Sequence, residues 1–182
     1  GVQPGMTVLD VSAGGGYTTE LLARAVAPGG RVYAQTPRPP SPALAARLQK
    51  PVAADVTSVV RPFESAPPPD AAGKLDLVTL MFNYHDMGHL GVDRARLNAA
   101  VFAALKPGGS YVIADHSGRA GTGISESGTL HRVEEALVRR EVEAAGFRLA
   151  AEAAFLRNPN DPRDSQDPPH PKDEFVLRFV KP

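Results

Sequence analysis

Short runs of apolar residues alternate with amphipathic segments along the whole chain. Most of these runs are continuous, which is typical of parallel strands that are covered on both faces. They predict seven strands: Thr7–Val11, Arg31–Gln35, Thr57–Arg61, Leu75–Met81, Ser110–Asp115, Phe147–Ala154 and Glu174–Val180. In the last strand Phe175, Leu177 and Phe179 alternate with the residues between them, which favours an edge or antiparallel strand.

The segments between the strands carry apolar residues at helical spacing, as Leu97, Val101 and Leu105 show. Two Pro-rich stretches, Glu64–Lys74 and Arg157–Lys172, are expected to be loops, and the second is long enough for a lid. The spacing predicts four helices, of which the second is the weakest: Thr18–Ala27, Ser41–Lys50, Val92–Leu105 and Leu130–Ala145. Alternating strands and helices of these lengths indicate an α/β fold with a mainly parallel sheet.

Composition narrows the class of protein. The 182 residues fit one domain, spanning 1–182, that can bury a core without disulfides or metal ions. Equal numbers of basic and acidic residues, 20 of each, disfavour a nucleic-acid-binding protein. The absence of Cys excludes disulfides and thiol catalysis, and no apolar run approaches the roughly 18 residues of a membrane span. Because the chain begins at Gly1 and not at Met, we expect that part of the protein precedes it.

The segment Val8–Tyr17, with the sequence VLDVSAGGGY, is the most informative one. It predicts a strand ending near Asp10, a turn through Gly14–Gly16 and a helix from Thr18. Glycines let the backbone approach a ligand, and a helix N-terminus offers free N–H groups to negative charge. No Lys-Ser/Thr pair follows the glycines, which excludes a P-loop, and Thr19 stands where the dinucleotide pattern needs a third glycine. Since Asp10 is placed to accept from a cationic amine, a ligand with an ammonium, a carboxylate and an adenosine fits better than one with a pyrophosphate.

The segment VLDVSAGGGYTTELLARAVAPGGRVYA resembles motif I of the class I S-adenosylmethionine-dependent methyltransferases, and LKPGG before SYVIAD resembles their turn into strand five. The segments LMFNYHD, VDRARLNAAVFAALKPGG, DHSGRAGTG and GTLHRVEEAL are similar to a group of bacterial predicted methyltransferases of unknown substrate. The resemblance implies S-adenosyl-L-methionine as cofactor and a Rossmann-like three-layer αβα sandwich. It also implies a seven-stranded sheet in the order 3-2-1-4-5-7-6, with strand seven antiparallel.

Two positions depart from the family pattern. Ser12 replaces its first glycine, and Gln35 stands where a carboxylate usually binds both ribose hydroxyls, so we expect the Gln35 amide to bind the diol and Gln35→Asp to tighten binding. Phe63 is expected either to cover the adenine or to pack in the core, and Glu64 to accept from the adenine amino group. The resemblance implies ten cofactor-binding residues: Asp10, Ser12, Ala13, Gly14, Gly16, Tyr17, Gln35, Phe63, Glu64 and Asn83.

Polar residues follow the fourth and fifth strands, whose carboxyl ends should meet where the strand order reverses, the usual ligand site of such sheets. His85 or His116 is expected to be a general base. Its pKa, about 6.5 for a free histidine but raised by nearby carboxylates or lowered by burial, should give the activity an ascending pH limb. Asp86 or Asp115 would orient that histidine. The residues at the strand ends, with one from a later predicted helix, are Asn83, Tyr84, His85, Asp86, Asp115, His116, Ser117 and His131, and of these Tyr84, His85, His116 and Asp86 are the predicted catalytic residues.

Other interpretations of the same residues remain. A divalent metal held by His85, Asp86, Asp115 and His116 is chemically acceptable, but the ligand set of magnesium-dependent methyltransferases does not align here, so we expect no metal. The predicted function is methyl transfer to an unidentified small molecule, without nucleic acid or a membrane span. A non-catalytic S-adenosylmethionine-binding protein is the main alternative, and a nicotinamide oxidoreductase is disfavoured. The cofactor favours a cytoplasmic location without excluding export.

Overall fold

Seven strands form one sheet in the computed structural model, which describes residues 1–182: β1 (Thr7–Val11), β2 (Arg31–Thr36), β3 (Val56–Val60), β4 (Leu75–Met81), β5 (Leu105–His116), β6 (Arg148–Ala153) and β7 (Glu174–Val180). They lie in the order β3-β2-β1-β4-β5-β7-β6. The first five pair in parallel, and β7 is antiparallel to both β5 and β6. This arrangement confirms the Rossmann-like fold and the strand order that the resemblance implies.

Helices connect the strands and cover both faces of the sheet: α1 (Tyr17–Val26), α2 (Pro42–Leu48), α3 (Asp86–His89), α4 (Arg94–Ala104) and α5 (Glu135–Ala144). Successive residues of β1 serve opposite faces, because side chains alternate along a strand. Val8 packs with Leu22 and Val26 of α1. Leu9 belongs to the main core, to which α4 and α5 contribute. Short 3₁₀ turns lie at Pro51–Ala53, Phe63–Ser65 and Pro69–Ala71.

The start of the last helix differs from the prediction. We expected a helix from Leu130, but α5 begins at Glu135. The preceding residues add to the sheet end instead: Val133 N donates to His116 O at 3.1 Å, and Gly118 N donates to Val133 O at 2.7 Å. The helical spacing of the apolar residues was misleading because Val133 is buried by pairing beside β5 and not by a helix face.

The Pro-rich segment between β6 and β7 is irregular, as predicted, but it is firmly anchored. Arg132 is fully buried and donates from Nη1 to Asp161 Oδ2 at 2.9 Å and to Ser117 O at 3.0 Å. Arg163 donates to Asp173 Oδ2 at 2.7 Å. These bonds hold the segment against the connection that follows β5, so it forms a fixed wall beside the carboxyl end of the sheet.

One face of the sheet is only partly covered. A groove of about 390 Å³ runs lengthwise between α1 and the strands β4 and β5, with Leu21, Leu77, Met81 and Val112 among its lining residues. No helix of the protein combines the length and the apolar character that crossing a membrane requires.

Candidate active site

The turn between β1 and α1 presents backbone donors at the carboxyl edge of the sheet. Ser12, Gly14 and Gly16 have φ angles of +59°, +55° and +80°, a left-handed region that glycine adopts freely and serine rarely. The N–H groups of Gly14 and Gly15 have no partner within the protein, and the first turn of α1 adds further unpaired N–H groups. The turn therefore suits the anionic part of a ligand.

Helix α2 packs against this turn. A Cβ atom on Gly16 would lie 2.7 Å from Leu44 Cδ1, whereas one on Gly14 would meet only Ser12 O at 3.8 Å. Ser41 Oγ, at the start of α2, donates to Gly14 O at 3.1 Å. Gly16 is thus required by packing as well as by its φ angle, while Gly14 has an open side on which a ligand fits.

Asp10 lies behind the turn and is almost fully buried. Thr19 Oγ1 donates to its Oδ2 at 2.6 Å, and Thr79 Oγ1 donates to its Oδ1 at 2.9 Å. Burial raises the pKa of Asp10 to about 6, although both hydroxyl hydrogen bonds act to lower it. In this structure Asp10 links β1 to α1 and β4, and its contact with the amine of a ligand stays a prediction.

Gln35 does not present a free amide. It is fully buried, its Oε1 accepts from Ser12 N at 2.9 Å, and its Nε2 donates to Arg61 O at 2.7 Å. The prediction that it binds a ribose diol is therefore wrong for this structure, because backbone partners already occupy the amide. Side chains alternate along a strand, so Thr36, the next residue of β2, projects to the opposite face of the sheet from Gln35.

The other predicted cofactor residues divide into buried and accessible ones. Phe63 packs in the main core, which favours the packing alternative, and Glu64 Oε1 accepts from Asp93 N at 3.2 Å. Ala13 is buried and its N–H donates to Gln35 O at 2.8 Å. Tyr17, at the start of α1, is 66% exposed. Tyr17 and Gly14 at the turn are therefore accessible, while Glu64 and Asn83 are half-buried.

A hydrogen bond joins the ends of β1 and β4, where the strand order reverses. Ser12 Oγ donates to Asn83 Oδ1 at 2.5 Å, and Asn83 Nδ2 donates to Phe82 O at 2.6 Å. Phe82, like Ser12, is a non-glycine residue in the left-handed region, with a φ angle of +57°. Each such residue costs about 1–3 kcal/mol and is typical of functional sites. The strain marks this junction as part of the site.

Beyond the junction lies a group of six titratable side chains. His85 is its centre: Asp115 accepts from His85 N at 2.7 Å and lies 2.6 Å from His85 Nδ1. His85 Nε2 lies 3.1 Å from Asp86 Oδ1. Both ring nitrogens of this buried histidine are therefore engaged by carboxylates. We call the group the histidine mouth: His85, Asp86, His89, Asp115, His116 and His131.

His116 occupies the β5 side of the histidine mouth. Its N–H donates to Asp115 Oδ1 at 2.8 Å, and its Nδ1 lies 2.8 Å from Glu174 Oε1 of β7. Its ring stacks on Phe82, with centroids 5.4 Å apart. The side chain is 19% exposed, compared with 5% for His85, so His116 is the better placed of the two to meet an acceptor.

The two predicted bases have pKa values on opposite sides of neutrality. Burial lowers the pKa of His85, but hydrogen bonds with Asp115 and Asp86 outweigh it and raise the value to about 9. Burial lowers the pKa of His116 to about 4, although the Asp115 charge acts to raise it. Nearby carboxylates and burial, the two opposing influences expected from the sequence, thus move the two pKa values in opposite directions. At neutral pH His85 is charged and His116 is neutral.

Tyr84, also predicted to be catalytic, lies elsewhere. It is fully buried in the main core, where its hydroxyl donates to Glu141 Oε2 at 2.8 Å and accepts from Asn98 Nδ2 at 3.0 Å. Burial raises the pKa of this hydroxyl well above its ordinary value. Tyr84 does not belong to the histidine mouth, because it points towards α4 and α5.

Two functional candidates were missed from the sequence. His89 lies at the end of α3, and its Nε2 is 3.9 Å from Asp86 Oδ1; its spacing of four residues from His85 was the available signal. Glu174 faces His116 because β7 pairs with β5 in that register. No local pattern reveals such a register.

Comparison with known proteins decides the family. Residues 8–109, more than half of the chain, match the family model described as a methyltransferase domain. The chain belongs to this methyltransferase family. A 32-residue stretch of the methyltransferase is 69% identical to protein-L-isoaspartate O-methyltransferase from Aeropyrum pernix, but that match covers only 18% of this chain and 12% of the length of that relative.

Solved structures share the fold of the methyltransferase over its whole length. A SAM-dependent methyltransferase from Aquifex aeolicus has a TM-score of 0.75 at 19% identity, covering 100% of this chain and 85% of that one. The 1,6-didemethyltoxoflavin-N1-methyltransferase of Burkholderia thailandensis, solved with 1,6-didemethyltoxoflavin and S-adenosylhomocysteine, has a TM-score of 0.69 at 19% identity, covering 98% and 72%. At these identities the likeness shows the fold.

Proposed function

We propose that this protein transfers a methyl group from S-adenosylmethionine to a small-molecule acceptor. The observation that carries the proposal is the turn after β1, with its left-handed residues and the unpaired N–H groups of Gly14 and Gly15. It lies at the sheet edge where such folds bind ligands, in a chain of the methyltransferase family. The Aquifex and Burkholderia proteins, which share the fold, are methyltransferases by name.

The residues of the turn fit the amino-acid part of this cofactor. Unpaired N–H groups suit its carboxylate, and the open side of Gly14 leaves room for close approach. The cofactor supplies an activated methyl group on a sulfonium. The protein holds the cofactor from the turn after β1, and Ser12 bonded to Asn83 connects that side to the histidine mouth.

We assign the positioning of the methyl acceptor to the histidine mouth. In-line displacement needs the nucleophile about 3–3.5 Å from the methyl carbon, aligned and shielded from water. His116 is neutral at pH 7, partly exposed and backed by the Phe82 ring, so we assign it the contact with the acceptor and its proton. His85, enclosed by two carboxylates, acts through its neighbours as a positioning residue.

Calorimetry with two matched variants tests the cofactor site. Gly14 and Gly73 both have left-handed φ angles, +55° and +65°, and both have open space on the Cβ side. Aspartate tolerates this region, so Gly14→Asp and Gly73→Asp should fold equally well. We expect Gly14→Asp to weaken S-adenosylhomocysteine binding at least about tenfold, by filling the open side with an anion. Gly73→Asp, at the opposite sheet edge, should bind like the parent.

Equal affinities in both variants would remove the turn from the cofactor site. A thermal-shift comparison of S-adenosylhomocysteine, S-adenosylmethionine and NAD(P) then separates the classes of ligand, since stabilisation by NAD(P) alone would contradict a methyltransferase. Cofactor consumption across phenols, acids and amines tests turnover and finds the acceptor. Binding of S-adenosylmethionine without turnover on any acceptor would favour the non-catalytic alternative.

A further inference from the structure

Three imidazole rings converge on one carboxylate oxygen in the histidine mouth. Asp86 Oδ1 lies 3.1 Å from His85 Nε2, 3.3 Å from His131 Nδ1 and 3.9 Å from His89 Nε2. Ligand atoms of His85, Asp86 and His131 all lie within 4.8 Å of one another. Nitrogen lone pairs and a carboxylate repel each other, so this arrangement takes a positive charge at its centre: a proton on His85 in the metal-free protein, or a metal ion that replaces that proton.

Hydrogen-bond partners fix which nitrogens carry lone pairs. Asp115 only accepts, so His85 Nδ1, 2.6 Å away, is the protonated nitrogen. Ser127 Oγ gives its own hydrogen to His85 O at 2.6 Å, so it accepts from His89 Nδ1 at 2.9 Å. A metal ion that binds here displaces the Nε2 proton of His85, because a ligating nitrogen must be deprotonated. Nε2 of His85 and Nε2 of His89 are then the nitrogens that carry lone pairs.

The spacing of the ligand atoms matches a metal centre. Atoms held about 2.1 Å from an ion in tetrahedral geometry lie roughly 3.4 Å apart. The distances from Asp86 Oδ1 to His85 Nε2 and His131 Nδ1 are 3.1 and 3.3 Å. The remaining pair, His85 Nε2 and His131 Nδ1, lies within 4.8 Å, so an ion that enters between these atoms draws the two rings to tetrahedral spacing.

Outer hydrogen bonds hold the ligands in place, as in established metal sites. The Asp115–His85 pair is the carboxylate–histidine arrangement that orients a metal-bound ring. His131 is fixed by its backbone, which has a φ angle of +50° and is followed by the buried, ion-paired Arg132. Such strain persists only where surrounding contacts enforce it.

We propose that the histidine mouth binds one divalent first-row transition-metal ion through His85 Nε2, the Asp86 carboxylate and His131 Nδ1. His89 Nε2 is close enough to become a fourth ligand. The side chains of Asp86, His131 and His89 are 25%, 36% and 34% exposed, so a coordination position faces the open side of the site. Imidazole ligands select ions such as Zn²⁺, Co²⁺ or Fe²⁺ over Mg²⁺.

This set differs from the metal site considered from the sequence. Asp115 and His116 drop out, because Asp115 accepts from His85 and from the backbone, and His116 faces Glu174. His131 joins through a chain segment that the sequence predicted to be helical. The proposal does not depend on the nature of the reaction, since the ligands lie outside the cofactor turn.

Metal titration without any cofactor tests it. Chelator-stripped protein is titrated with ZnCl₂ by calorimetry and with CoCl₂ by visible absorption, which reports low-symmetry coordination. We expect one ion per chain, and a loss of affinity of at least about 100-fold in His131→Ala and in Asp86→Asn. Ser127→Ala removes no ligand but takes away the hydrogen bonds of Ser127 Oγ with His85 O, His89 N and His89 Nδ1, and should cost roughly 10-fold. The control His170→Ala removes a half-buried histidine outside the mouth and should bind like the parent.

The proposal is overturned if the parent binds no stoichiometric ion, if both ligand variants bind like the parent, or if His170→Ala loses affinity equally. Circular dichroism confirms the fold of each variant, and the cobalt spectrum of the parent alone decides the case if a variant is unfolded. Because no methyl transfer is measured, failure here leaves the proposed function standing, and failure to turn over leaves the metal titration interpretable.

Discussion

The glycine turn and the histidine mouth lie side by side at the same sheet edge, yet they are built by different means. The turn offers backbone N–H groups, with its shape fixed by Gly14, Gly16 and the packing of α2. The histidine mouth consists of side chains that come from three separated segments, and Ser12 bonded to Asn83 joins the two regions. The glycine turn is built from one short segment, whereas the histidine mouth forms only when the complete fold brings distant segments together.

This difference separates the effects that substitutions should have. A change in the turn alters cofactor affinity through the shape of a short segment. A change around the mouth shifts side chains whose positions depend on residues far away in the sequence. Arg132, for example, bonds Asp161 and so holds the chain beside His131. Variants that affect only one region therefore measure how independent the two are.

The largest effect is expected from Arg132→Ala, which leaves the buried Asp161 without its partner. Removing one member of a buried ion pair typically costs 3–5 kcal/mol, so the free energy of unfolding from urea denaturation should fall by about that amount. The control Arg139→Ala breaks the exposed pair with Glu152 and should cost less than about 1 kcal/mol. Similar losses in both would show that the wall beside the mouth is not anchored by this pair.

Asp10 should make the cofactor side sensitive to pH. Its pKa is raised from 3.8 to about 6 in the folded protein, so the folded state binds the proton more tightly than the unfolded state does. Stability from this group is greatest at low pH and is lost as pH rises between about 4 and 6, by up to about 3 kcal/mol. The unfolding free energy of the parent relative to Asp10→Asn should decline across that window. If the difference between the parent and Asp10→Asn stayed constant across this window, the raised pKa of Asp10 would be contradicted.

His116→Ala should reduce turnover about 100-fold, the lower end of what a proton acceptor contributes. Affinity for S-adenosylhomocysteine should not change, because His116 lies in β5 and not at the glycine turn. His170→Ala serves as the control. If His116→Ala retains the turnover of the parent, the mouth acts by positioning alone.

Gln35→Asp should produce the smallest effect, and its direction reverses the expectation from the family pattern. The shorter side chain cannot span Ser12 N and Arg61 O, and an unsatisfied buried group costs roughly 1–3 kcal/mol. We expect a loss of about 2 kcal/mol in stability and weaker cofactor binding, whereas the exposed Gln49→Asp should change neither. Tighter binding would show that residue 35 does reach the ribose.

Much of the fold was predictable because its signals are local. The bounds of β1, β4 and β7 agree with the apolar runs, and the turn follows from three consecutive glycines. The start of α5 was not predictable, since Val133 is held by pairing with His116 and Gly118. Apolar residues at helical spacing indicate buried positions. A residue that is buried beside a strand end can fit this spacing as well as one on a helix face.

The site was predicted in part for the same reason. The predicted strand order correctly placed His85, Asp86 and His116 at neighbouring strand ends. It failed for Tyr84, which turns into the core, and for Gln35, whose partners belong to the backbone. The direction of a side chain at a strand end depends on the backbone angles after the strand, which a residue pattern does not contain.

The order of the strands has a consequence for synthesis on the ribosome. Strands β1, β2 and β3 are neighbours in the sheet and are complete by residue 60, so the cofactor side can assemble early as the chain emerges. The surroundings of the mouth are completed later, because β7 inserts between β5 and β6, and Glu174 reaches His116 only when that strand has left the exit tunnel. Until then β5 has an unpaired edge, the kind of edge that can pair with strands of other chains.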